Sequence, residues 1–200
     1  MLRTGLNMHR FMLKLARIMA YLGGAVLCLL VLLTCLSIIG RSLNRLLHGA
    51  WAQVQMPELA TWLLGLGIGP INGDFELVEA GVAFAVFAFL PLCQISGGHA
   101  AVDVFTARMS ARANRVLARV SDTLFAAVLV LIAVQLARGL LSKYGSGQTS
   151  FLLEFPLWWA YAASLIGAVA AALVAVYLAV MQWGAALSGT SSFKNRGADR

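Results

Sequence analysis

Charge is scarce in this chain. Only 12% of its 200 residues are Asp, Glu, Lys or Arg, whereas 60% are hydrophobic and the mean hydropathy is +0.83. A soluble domain of this length needs far more polar surface to cover itself, so that class is excluded. Cysteine is also rare, and Cys28, Cys35 and Cys93 all lie in apolar runs, where a thiol behaves as a small hydrophobe. They build neither a disulfide framework nor a metal-ligand spacing. The three histidines, His9, His48 and His99, stand outside the centres of the apolar runs. A haem-binding anchor would hold its axial histidines inside its spans. No Ser-His-Asp set and no phosphate loop is present, so no catalytic residue, metal or cofactor is assigned.

What is there is hydrocarbon. Uncharged runs extend over Ile18–Gly40 (23 residues), Ala80–Ala101 and Phe155–Phe193. About 20 mostly apolar residues cross a hydrocarbon core of roughly 30 Å, so each run is long enough to span. Thr123–Ala137 is shorter, with 15 uncharged residues between Asp122 and Arg138. It crosses if its charged ends snorkel to the interfaces. The expected fold is an all-α integral membrane protein with four transmembrane helices, at about 18–40, 76–96, 118–141 and 156–183. An outer loop 41–75, a cytoplasmic loop 97–117 and a tail 184–200 complete a single membrane domain. The first span reads as an uncleaved anchor, because its apolar run is too long for a signal peptide.

The net charge of +7 is a topology signal and not a nucleic-acid footprint. Eleven of the 15 Lys and Arg fall on one side of the four-span arrangement, in three groups at residues 3–17, 108–119 and 194–200. The positive-inside rule then puts both termini in the cytoplasm, with anionic lipid as a further partner of the basic groups. Interfacial amphipathic helices are expected at Arg41–Trp51 and along Val102–Val120, where arginines and apolar residues recur at helical steps. Leu59–Pro70 is apolar but short and broken by glycines, which reads as an interfacial or partly embedded hairpin with Trp51 and Trp62 at headgroup depth. A fifth span there is the rival topology.

Several residues qualify as partner contacts. Asp74 suits a helix N-cap, and Glu76 and Glu79 follow at the mouth of the second span, where the helix dipole favours acids. Glu79 is the least comfortable of the three and needs a partner, or Arg41 or Arg45 nearby. His99 and Asp103, four residues apart, can meet on one helical face. Trp158, Trp159 and Tyr161 form an outer aromatic belt, with Trp183 marking the inner one. In the fourth span Ala163, Gly167, Ala171, Ala175 and Ala179 recur every four residues, beside the row Ala160, Ser164, Ala168 and Ala172. Such a face lets another helix approach closely. Polar residues are too few inside the spans for an ion path, and neither broken helices nor repeats suggest an independent transporter. An autonomous membrane protein, whether a small channel or a haem-binding redox anchor, is the alternative to an accessory subunit.

Three segments in register with the spans carry a resemblance. They are Gly73-Asp-Phe-Glu-Leu-Val-Glu-Ala, Gly98-His-Ala-Ala-Val-Asp, and Gly147-Gln-Thr-Ser followed by Pro156-Leu-Trp-Trp-Ala-Tyr. From about residue 15 to 183 the chain resembles the DctQ-type small membrane subunit of tripartite ATP-independent periplasmic (TRAP) transporters. It departs from the family pattern at Ala100, where Ile is more usual, and in its long outer loop. The resemblance implies a bacterial inner-membrane protein without enzyme activity. It also implies a large permease subunit that carries organic acids or related solutes with sodium, and a periplasmic solute-binding protein that feeds it. The small subunit would brace the large one.

Overall fold

In the computed structural model, residues 2–49, 54–67, 69–96 and 111–187 are described. Their named elements are helices: α1 (Leu2–Leu47), α2 (Pro57–Gly65), α3 (Asp74–Ser96), α4 (Ala111–Ser146) and α5 (Trp158–Leu187). Four of them, α1, α3, α4 and α5, are long and apolar enough to cross a membrane.

The first helix is longer than its apolar run requires. Its 46 residues rise about 69 Å at the helical repeat, more than twice the hydrocarbon thickness. Arg41–Leu47, expected as a separate interfacial helix, continues α1 instead. No proline interrupts the segment, and Gly40 does not break it. The hydrogen of Gly40 faces the Gly69–Pro70 backbone, and a Cβ there would collide with the Gly69 carbonyl. Trp51, His99 and Asp103 lie outside the described residues.

The apolar stretch after it folds as a nine-residue helix, α2. Proline fits its first turn because that position needs no N–H partner, and the Thr61 hydroxyl donates back to the Pro57 carbonyl at 2.7 Å. Nine residues rise about 13 Å, too little to cross. Fifth-span topology fails on that length. Gly67, at φ +79°, then turns the chain toward α3.

The spanning helices form a row and not a closed square. The central helix α3 packs against both α1 and α5, and α5 packs against both α3 and α4, with a smaller contact from α1 to α5. Half of the most apolar window of α5 is buried inside the chain, against 11% for α1 and for α4. Small residues make that possible. Ala171, Ala172, Ala175 and Ala179 bury against Ala126 and Leu129 of α4. Ala170 and Val174 on the adjoining strip bury against Ala88 and Ile95 of α3 and Ala16 and Met19 of α1. In lipid no hydrophobic force draws helices together, so close backbone approach and interhelical hydrogen bonds do it.

Candidate functional site

The two acids at the start of α3 tie it to α1 and to the turn before α5. Gly73, at φ +78°, stands at the N-cap, and its carbonyl accepts the Leu77 N–H at 3.2 Å. Asp74 is therefore the first helical residue, one position past the cap expected for it. Its Oδ1 still accepts an otherwise free N–H, that of Phe75 at 2.8 Å. Its Oδ2 reaches α1, taking the Ser37 hydroxyl at 2.5 Å, with the Arg41 guanidinium 3.6 Å away. Ser37 is fully buried, and its Oγ in turn accepts the Ile71 N–H at 3.2 Å. This serine joins the linker before α3 to α1.

Glu76 turns the other way. Leu152 N–H donates to its Oε1 at 2.7 Å and Leu153 N–H to its Oε2 at 3.0 Å. A carboxylate gripping two consecutive backbone donors makes strong, directional bonds. The loop it holds is a narrow turn between α4 and α5. Ser150 N–H donates to the Phe155 carbonyl at 2.9 Å, Leu157 N–H to the Gln148 carbonyl at 3.0 Å, and Lys143 Nζ to Gln148 Oε1 at 2.6 Å. Glu154 adopts φ 53° at its tip. Pro156, expected inside the first turn of the last span, precedes α5 and bridges to Thr149, while its carbonyl accepts the Trp159 N–H at 3.0 Å. Both carboxylate oxygens of Glu76 are thus engaged within the chain.

Glu79 differs from both neighbours. It is exposed and makes no hydrogen bond or ion pair among the described residues. Arg41, one of the two arginines considered for it beside a partner contact, sits on Asp74 instead.

The aromatic candidates gather at the same end. Trp158 meets Tyr144 edge-on at 5.6 Å between centroids and Trp159 at 6.0 Å. Trp159 stays 57% exposed. Tyr161 fills the space over Gly139, where a Cβ would come within 2.7 Å of the ring. Gly167 and Ala171, expected as partner contacts, are buried inside the chain. A Cβ on Gly167 would lie 2.8 Å from the Phe87 Cβ. The close-approach face is real in geometry, but α3 and α4 occupy it.

The sequence reading missed the ties at the opposite end of the bundle. Trp183 Nε1–H donates to Thr123 Oγ1 at 3.0 Å, and Gln182 Nε2–H donates to Asp122 Oδ2. Asp122 had counted only as the boundary of a short span. It is in fact bound to α5. The spacing from Asp122 to Thr123 and from Gln182 to Trp183 hints at a paired contact only once the two helices are known to be antiparallel neighbours.

Ordered polar clasps at both ends, an alanine-rich middle and four spanning helices define a multi-pass membrane protein built by helix packing. Comparison with protein families resolves the class: residues 66–185 match the DctQ component of tripartite ATP-independent periplasmic transporters. The chain belongs to that family, as a small permease component of such a transporter. No curated protein and no solved structure matches it.

Proposed function

We propose that the chain is the static brace of a TRAP-type transporter, holding the large permease subunit in the bacterial inner membrane with both termini in the cytoplasm. The large subunit moves organic acids or related solutes with sodium, fed by a periplasmic solute-binding protein. The observation that carries this reading is the packing of the bundle centre. Ala88, Ala168, Ala171 and Val174 are fully buried there, and Ala88, Ala171 and Val174 belong to clusters built from the helices of this chain. Such a centre fills space and supports a neighbour; solute passage belongs to the partner. The surfaces left unburied by the chain's own packing offer the area on which lipid and the large subunit can lie.

The test is affinity purification of the tagged chain from membranes that also express its transporter partners. The expected product is a stable complex with a much larger polytopic protein. Recovery of the small chain alone, in mild detergent and with the large protein present in the same membranes, overturns the proposal. Uptake of solute against a gradient by vesicles holding only this chain overturns it as well.

A further inference from the structure

We infer that the outward face of α3, centred on Glu79, is the seam that receives a helix of the large subunit carrying a basic side chain. The inference rests on the brace reading above and adds the surface and its chemistry. Two faces of α3 are covered by α1 and α5. On the third, Phe75, Glu79, Val82, Val86 and Phe89 are exposed. Their spacing of four and three residues alternates as in a helix–helix seam.

The acid separates this face from those that meet lipid. The exposed stripe of α1, through Leu29, Leu32, Leu36 and Ile39, is wholly apolar and suits acyl chains. Glu79 interrupts the corresponding stripe of α3 with a carboxylate. Packing of α1 against α3 fixes its depth. A Cβ on Gly23 would meet Ala88, one on Gly81 would meet Leu30, and Ser37 bonds Asp74. That antiparallel register places Glu79 level with Leu32, eight residues before the Gly40 end of the uncharged run Ile18–Gly40. The parallel contact of Gly167 with Phe87 sets it level with Trp159 of α5. Between hydrocarbon and headgroups, a carboxylate on an apolar stripe is costly unless a partner meets it. The other described acids of the spanning helices, Asp74, Glu76 and Asp122, each already bind a donor of this chain. Charge complementarity therefore calls for Arg or Lys at that level of the incoming helix.

The experiment uses the whole transporter in native membranes with the small subunit tagged. A photo-crosslinking residue at Val82 or Val86 is expected to capture the large subunit, and the same probe at Leu32 or Leu131 is not. Glu79→Gln is expected to lower recovery of the large subunit about five- to tenfold, the loss typical of a buried interhelical polar contact, while Glu154→Gln leaves it unchanged. Crosslinks confined to Leu131, capture of a second copy of this chain from Val86, or full recovery with Glu79→Gln each overturn the seam while leaving the brace reading intact. Absence of the large subunit from the unmodified complex removes the brace reading and this inference together. Because Glu79→Gln keeps shape and removes only charge, it avoids the insertion defect that Glu79→Arg could cause.

Discussion

Asp74 and Glu76 stand two residues apart, yet they reach to opposite neighbours. One holds α1 through Ser37, and the other holds the turn before α5 through two backbone amides. Between them they link α1 and the turn before α5 to the start of α3. Removing one oxygen acceptor of Glu76 should free the loop. In Glu76→Gln the amides of Leu152 and Leu153 are expected to exchange hydrogen faster than in the parent, while amides in the centre of α5 keep their protection. Equal protection in both proteins would show that the loop is held by its own turn alone. Gly73 carries a second test. Its φ of +78° strains any residue with a Cβ, and that Cβ would collide with the Leu153 side chain. Gly73→Ala is expected to cost about 1–2 kcal/mol from the backbone alone and to lower the thermal unfolding midpoint in detergent. An unchanged midpoint would mean that the cap relaxes freely.

At the scale of the helix, small residues decide which neighbours can meet. Pro91, buried in α3, has no N–H to offer the Phe87 carbonyl one turn earlier. Gly167 of α5 lies against that same peptide, 2.8 Å from Phe87 Cβ and 3.3 Å from the Ala88 nitrogen if it bore a Cβ. The two helices therefore approach closely where α3 has lost a backbone bond. Gly167→Leu is expected to force α3 and α5 apart and destabilise the isolated chain by roughly 1–3 kcal/mol, the usual range for overpacking. Gly24 of α1 is the control, since a Cβ there meets nothing within 4 Å. Gly24→Leu should leave resistance to detergent unfolding unchanged. If both variants behave alike, helix insertion and not packing governs the response.

For the whole molecule, the open row α1, α3, α5, α4 leaves broad flanks outside the chain, and the basic residues predict how it lies. Cysteine placed at Ser146 or Gln53 is expected to react with an impermeant reagent from the periplasmic side, and at Arg112 only after the membrane is opened. The native Cys28, Cys35 and Cys93, within helices α1 and α3, are replaced first. Labelling at Arg112 from the periplasmic side would invert the proposed orientation.

Four spanning helices were legible in the linear chain because hydrocarbon imposes a length and a hydropathy that composition alone reveals. The small-residue rows of α5 were legible through helical periodicity, which places every fourth side chain on one face. Tertiary structure decided what those features touch. Periodicity shows that Gly167 and Ala171 share a close-packing face, but only the helix order shows that α3 and α4 of the same chain cover it. Glu76 and Glu79 look alike in sequence, three residues apart at one helix mouth. A loop some 76 residues away along the chain satisfies the first and leaves the second exposed. Local sequence sets which way a side chain points around its own helix. The neighbour it meets depends on the register of distant segments, which no local pattern encodes.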